Sequence, residues 1–152
     1  MKIQIGSDHA GFGLKTLIAG FLSKAGHKVS DSGAGSASVP VDYPDFAAAV
    51  ARAVASGKAE RGIVICGSGV GACITANKFK GVRAAICHDT YSARQGVEHD
   101  DMNVLCLGAR IIGEEPAKEI TAAFLSAKFS GEERHLRRLN KMKRIERNNF
   151  GH

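Results

Sequence analysis

Four stretches of this chain carry residues that could do chemistry. The first is an apolar run ending in a cysteine, Gly62-Ile63-Val64-Ile65-Cys66, followed by Gly67-Ser68-Gly69-Val70-Gly71. Glycine at every second position lets backbone N–H groups turn inward, an arrangement that cradles a phosphate or a developing oxyanion. A helix expected to begin near Gly71 would add the positive end of its dipole. A thiol at the rim of such a cradle has its thiolate stabilised, which makes Cys66 a candidate base or nucleophile. A buried cysteine ahead of a tight turn has the same local sequence, and one Gly-rich loop does not separate the two readings. The other stretches are Ser7-Asp8-His9-Ala10-Gly11, His88-Asp89 and His99-Asp100-Asp101-Met102-Asn103.

The elements that must position these residues alternate along the chain. Lys2–Gly6, Lys28–Ser30, Ile63–Cys66, Arg83–Cys87 and Val104–Leu107 read as strands. Helical patterns cover Gly11–Ala25, Asp45–Ser56, a stretch from about Gly71, Tyr91 to about Val97, and Glu115–Ala127. Leu14, Leu17, Ile18, Phe21 and Leu22 share one face of the first. The Gly/Ser-rich segment Ser32–Val41 reads as a loop leading to Asp42-Tyr43-Pro44. The tail Glu133–Arg147 places Leu136, Leu139, Met142 and Ile145 at near-helical spacing, a solvated amphipathic helix that packs one stripe on the body or on a partner. Alternating strands and helices imply an α/β fold: a three-layer, Rossmann-like sandwich around a five-stranded parallel sheet, with a C-terminal helix. Ligands gather at the carboxyl ends of such strands. Asp8, His9, Cys66 and His88 follow strands and belong there, whereas His99 precedes one and is expected at the opposite edge. Either its connection folds back, or it serves a neighbouring subunit.

Composition narrows the class. The chain has 152 residues, 44% hydrophobic and 24% charged, which suits a domain with enough core to fold alone. Neither a secretory signal nor a membrane-spanning helix is expected. Cys66, Cys73, Cys87 and Cys106 lack zinc-type pairing, and reduced thiols in a cytoplasmic protein fit better than disulfides. The net charge of +6 is concentrated between Arg134 and Arg147, which suits an anionic partner. The basic tail Glu133–Arg147 contains no aromatic residue on which a base could stack, so nucleic acid is not the expected anion. Plain structural roles are available throughout. Asp8 could cap the first helix, His9 could be a surface histidine, Ser68 turn chemistry and Tyr43 a loop anchor, with Cys73, Cys87 and Cys106 as core thiols.

Several motifs in order do what no single one can. Gly6-Ser7-Asp8-His9-Ala10-Gly11, Asp42-Tyr43, Cys66-Gly67-Ser68-Gly69-Val70-Gly71 and Ala76-Asn77-Lys78 resemble type B ribose-5-phosphate isomerase and its sugar-phosphate isomerase relatives. So do His99 with Asn103-Val104-Leu105, Gly108-Ala109-Arg110, and Arg134-His135 with Arg138. The resemblance covers nearly the whole chain and implies one sugar-phosphate isomerase domain over residues 1–152.

It also implies roles. Cys66 is the base that moves a proton between C2 and C1 of the sugar, and Ser68 assists it. Backbone N–H groups of Gly67 through Gly71, those of Gly69 and Val70 among them, hold the oxyanion of a cis-enediolate. His99 opens the furanose ring. Asp8 orients sugar hydroxyls, and Tyr43 closes the pocket wall. His9, Arg134 and Arg138 bind phosphate, and Asp100 and Arg110 complete the substrate-binding set. No metal or cofactor is implied, because amide donors hold the oxyanion. The implied assembly is a homodimer whose sites draw on both chains, with further pairing left open. Galactose-6-phosphate isomerase subunits lack the loop cysteine, so Cys66 favours the ribose or allose phosphate branch. The chain departs from the family where Asp100 replaces the usual asparagine and Glu132-Glu133 replaces Gly-Gly before Arg134-His135. Three readings result: a ribose 5-phosphate isomerase, an isomerase of another sugar phosphate such as allose 6-phosphate, and a non-catalytic phosphate- or nucleic-acid-binding module.

Overall fold

The computed structural model describes residues 1–151. Its elements run β1 (Lys2–Ser7), α1 (Phe12–Lys24), β2 (Lys28–Asp31), α2 (Tyr43–Ala55), β3 (Arg61–Cys66), α3 (Val70–Ala76), β4 (Ala84–Ile86), α4 (Thr90–Asp100), β5 (Val104–Gly108), α5 (Glu114–Ser126) and α6 (Glu133–Phe150). All strand pairs are parallel, in the order β2-β1-β3-β5-β4. The expected α/β sandwich is what the chain forms.

The inner strands are buried on both faces, as helix-covered parallel strands must be. Their side chains alternate between two cores. Ile63, Ile65, Leu105 and Leu107 face α1, α4 and α5, where Ile18, Leu22, Val97, Ile120 and Phe124 pack on them. Val64, Cys66, Val104 and Cys106 face α2 and α3, meeting Ala47, Val50, Ala51, Ala72 and Ala76. Cys66 thus leaves the sheet on the α2/α3 side.

The topology fixes where a ligand can sit. From β1 the chain crosses to the edge strand β2 and then returns past β1 to β3, so the order reverses between β1 and β3. A crevice opens outside the carboxyl ends at such a reversal. Asp8 follows β1 and Cys66 ends β3, so both stand at its mouth.

Several boundaries differ from the sequence reading. Helix α1 starts at Phe12 with Gly11 as its cap, and α2 starts at Tyr43, with Pro44 inside its first turn. Asp8 does not cap α1. Its Oδ1 accepts the Gly11 N–H at 3.0 Å, tying the turn ahead of the helix. Strand β4 is shorter than expected, and α6 runs on to Phe150. Helix α4 extends past Val97 to Asp100, so His99 lies on its last turn rather than in a loop.

One buried charge holds the loop between β2 and α2. The Lys15 ammonium is 3% exposed, pairs with Asp31 at 2.8 Å, donates to the Ala34 carbonyl at 2.9 Å and lies over the Phe12 ring. Removing one partner of a buried ion leaves it uncompensated. Asp31→Ala is therefore expected to cost about 1–2 kcal/mol in urea unfolding, below the fully buried figure because Asp31 itself reaches solvent. Lys15→Met should cost less, since the carboxylate left behind can hydrate.

Candidate active site

A cleft of about 610 Å³ opens at the β1/β3 reversal, lined by Asp8, His9, Tyr43, Cys66, Gly67, Ser68, Val70, Gly71 and Arg110 among others. Each is held by its local backbone. Cys66 is 4% exposed, and its Sγ accepts the Gly69 N–H at 3.1 Å. Gly69 can present that N–H because its φ is +82°, a left-handed conformation open to glycine. An N–H aimed at sulfur is held more strongly by a thiolate than by a thiol. The Ser68 Oγ receives the Val70 N–H at 3.3 Å. Among the described residues the N–H groups of Gly67, Ser68 and Gly71 have no protein acceptor and remain free to bind an oxyanion.

The walls are equally specified. The Tyr43 ring lies on Gly71 so closely that an added Cβ there would fall 2.4 Å from Cζ. The Arg110 guanidinium lies on Gly67 in the same way, its Nη1 3.1 Å from where a Cβ would stand. His9 Nδ1 accepts the Val41 N–H at 3.1 Å, so the neutral ring carries its proton on Nε2, a donor suited to phosphate.

The remaining predicted residues are not in this cleft. His99, Asp100, Arg134 and Arg138 lie toward the other end of the strands. The Asn103 carbonyl, three residues beyond Asp100, accepts the Gly62 N–H at 2.9 Å. Cys66 is four residues along the same strand, roughly 13 Å away. His99 stacks on His135 with ring centroids 3.9 Å apart. Gln95 Nε2 donates to His99 Nδ1 at 2.8 Å, so the other ring nitrogen is free to exchange a proton with a ligand. Arg134 and Arg138 are exposed, and Arg134 pairs with Glu132 at 3.2 Å. Asp100 lines a separate groove with Arg83 and Met142, while its neighbour Asp101 takes the ion pair with Arg83 at 2.7 Å.

Sequence reasoning passed over the supports of His99. Ser130 donates its N–H to the Glu98 carbonyl at 2.9 Å and shares a 2.7 Å hydrogen bond with His135 Nδ1, pinning α6 to α4. Gln95 could have been found from its i, i+4 spacing to His99. His135 and Ser130 had no such signal, because their partners come from another element. Of the thiols read as core, Cys87 and Cys106 are buried, and burial pushes Cys87 up to about 11. Cys73 is only half-buried, and a hydrogen bond with Cys106, helped by the Ile86 backbone and Asn77, brings it down to about 7 against its desolvation.

Residues 3–142 match the Ribose/Galactose Isomerase family. The chain belongs to that family. The solved ribose-5-phosphate isomerase B of Clostridium thermocellum is 50% identical, with a TM-score of 0.94 over 97% of this chain and 99% of that one. The Escherichia coli ribose-5-phosphate isomerase B is 47% identical over 95% of this chain and 96% of its own length. The D-erythrulose-4-phosphate isomerase of Pectobacterium atrosepticum is 46% identical over 86% of each. This ribose/galactose isomerase family member is thus an aldose–ketose isomerase of sugar phosphates, in a family whose members differ in the sugar they take.

His135 gives the fold's stability a pH dependence of its own. Its burial, the facing charge of His99 and then that of Arg134 hold it below the ordinary histidine value, with Glu132 opposing and Arg138 adding. The unfolded chain therefore takes up this proton first as pH falls. The contribution of neutral His135 to stability is present above about pH 6.5 and is lost as pH drops below it. The urea midpoint should fall between pH 7.5 and 5.5, and His135→Gln should fall less over the same interval.

Proposed function

We propose that this protein interconverts ribose 5-phosphate and ribulose 5-phosphate through a cis-enediolate, with Cys66 as the base. The observation that carries the reading is the Cys66 sulfur facing a cleft at the strand-order reversal, with an N–H on it and free N–H groups beside it. After ring opening, the Cys66 thiolate takes the proton from C2, and the C2–H electron pair forms the C1–C2 double bond as O1 becomes an oxyanion. Donors at Gly67, Ser68 and Gly71 stabilise that charge as it develops. Ser68 relays the proton between O2 and O1, and the Cys66 thiol returns its proton to C1, leaving the C2 carbonyl. Asp8 orients the sugar hydroxyls, and Tyr43 shields the intermediate from water. The reaction needs no metal or cofactor in this reading, because amide donors meet the oxyanion.

The ring-opening acid is His99, and it reaches this chemistry from a second copy. His99, Arg134 and Arg138 form a half-site that the chain's own cleft lacks. In a homodimer each cleft, with His9 and Arg110, receives those three residues from the partner, giving phosphate cations on both sides. Large apolar side chains are exposed on the cleft rim, at Val70, Ile74 and Ile111, and on α6, at Leu136, Met142 and Ile145, which suits a covered interface. The four free thiols fit a reducing cytoplasm, and neither nucleic acid nor membrane is a partner in this reading. Among the described residues no helix is long and apolar enough to cross a membrane.

A second substrate reading has a specific support, the similarity to an isomerase of the four-carbon D-erythrulose 4-phosphate. The direct test is turnover of ribose 5-phosphate, allose 6-phosphate and erythrulose 4-phosphate side by side by chelator-treated protein. Ribose 5-phosphate is expected to give the highest kcat/KM, and a preference for either other sugar reassigns the substrate within the same chemistry.

Two variants test the mechanism. Cys66→Ala should lower kcat by about 100-fold to 10,000-fold, the usual cost of a lost general base, while leaving the fold intact. Near-normal turnover by the folded variant would remove Cys66 from the mechanism. Mixing inactive Cys66→Ala with inactive His99→Ala protein under subunit exchange should restore activity, because each hybrid dimer assembles one intact site. Hybrids formed without recovery would put both residues in one chain's site.

A further inference from the structure

The His88-Asp89 dipeptide follows β4 after one intervening residue, and the mechanism above uses neither residue. Asp89 caps α4, its Oδ1 accepting the Ser92 N–H at 2.6 Å. His88 points the other way. Its Nε2 accepts the backbone N–H of Gly108 at 3.0 Å. The ladder between β4 and β5 stops at the pair Ile86 and Cys106, so no β4 carbonyl serves Gly108. The imidazole extends the ladder by one bond after the β4 backbone has turned away. A nitrogen that accepts carries no proton, so the neutral ring has its hydrogen on Nδ1.

Gly108 is where that bond matters. It is the last residue of β5, buried, and pressed on the Ser68 backbone so that an added Cβ would lie 2.7 Å from the Ser68 carbonyl. The turn it begins is clipped to the cysteine loop by Ala109 N–H to Cys66 O at 2.8 Å and Arg110 N–H to Gly67 O at 3.0 Å. Arg110, exposed at the tip, has its place in the cleft set by this turn. Cys66 pairs with Gly108 in the same ladder, but it is also held by the core beneath it and by the Gly69 N–H on its sulfur, neither of which His88 touches.

We propose that His88 is a positioning residue for the Gly108–Ile111 turn and, through it, for the anion-binding guanidinium of Arg110. The proposal rests on the isomerase reading for its kinetic consequence but not for its structural one. Loss of the acceptor leaves a buried N–H unpaired and loosens the turn, which weakens the hold on substrate and on the transition state together. Such a loss raises KM and spares kcat.

The test compares His88→Ala, His88→Gln, whose amide oxygen can still accept, and His88→Leu, which fills the space without an acceptor. Ribose 5-phosphate kinetics should show KM raised about tenfold in the Ala and Leu variants, with kcat near wild type and recovery in the Gln variant. A merely structural residue would lower melting temperature without that split. Amide hydrogen exchange at Gly108, read by NMR, should quicken in Ala and Leu and return toward wild type in Gln. Calorimetric titration of ribose 5-phosphate into Cys66→Ala and Cys66→Ala/His88→Ala protein reads affinity without turnover, and the double variant should bind about tenfold more weakly. An unchanged KM in folded His88→Ala or His88→Leu protein, or unchanged Gly108 exchange, overturns the proposal. If the wild type neither binds nor converts ribose 5-phosphate, the substrate assignment fails instead, and the exchange comparison still decides the role of His88. Should His88→Ala not fold, the Leu and Gln pair carries the same comparison.

Discussion

At the carboxyl end of β3, other segments approach more closely than side chains would permit. A Cβ on Gly11 would stand 2.5 Å from the Ile65 carbonyl oxygen, one on Gly69 3.1 Å from the Leu107 carbonyl carbon, and one on Gly108 2.7 Å from the Ser68 carbonyl. The turn after β1, the loop after β3 and the end of β5 therefore meet backbone to backbone. With no side chains between them, the Gly69 N–H reaches the Cys66 sulfur, and the N–H groups of Gly67, Ser68 and Gly71 are left without a protein acceptor among the described residues. The same crowding keeps the cradle rigid, because movement of one segment drives it into the next. Preorganised donors of this kind lose no reorganisation energy when charge develops.

The fold was legible where local pattern and tertiary environment agree. Strands such as Ile63–Cys66 sit where both faces are covered, and continuous apolar runs announce that. What the pattern could not give was strand order. The placement of β5 between β3 and β4 depends on how two crossovers pack, and a crossover's sequence does not record which neighbour it reaches. Helix α4 was read too short because its last turn is polar, Glu98-His99-Asp100, and meets α6 through the His99–His135 stack rather than through an apolar side chain. Its stop is Asp101, in a left-handed conformation at φ 53°, where glycine is the usual sequence signal.

The convergence of the cleft residues and the placement of His99 at the opposite edge were both legible from topology, whereas the side chains that hold each of them were not. Cys66, Asp8, His9, Tyr43 and Arg110 converge because parallel strands deliver their carboxyl ends to one edge. His99 follows the opposite rule. A helix of α4's length returns about 16 Å along the sheet, which carries its last turn away from the cleft. One chain thus presents a cleft at one edge and a histidine with cations toward the other. That separation is the observation from which the proposed pairing of two copies is argued. His88 accepts the Gly108 N–H beside the chain's own cleft, and Asp89 caps the helix whose last turn carries His99.

Glu132, a departure from the family pattern, has a physical resolution in the ion pair it makes. It stands beside Arg134, where a carboxylate would oppose binding of a phosphate. The structure turns it onto the Arg134 Nε, and both side chains remain more than half exposed. A pair this open to water is worth little, since hydration competes with it and salt screens it. It holds the Arg134 guanidinium in place at small cost to its removal. An incoming phosphate brings more charge and a better-matched set of oxygens than one carboxylate, and a bidentate contact with the fork of Arg134 would displace Glu132 into solvent. Arg138 has no carboxylate within ion-pair distance among the described residues. Of the two arginines, one is paired with an exposed carboxylate and the other with none among the described residues, so the acidic replacement lowers the local charge while engaging only one guanidinium.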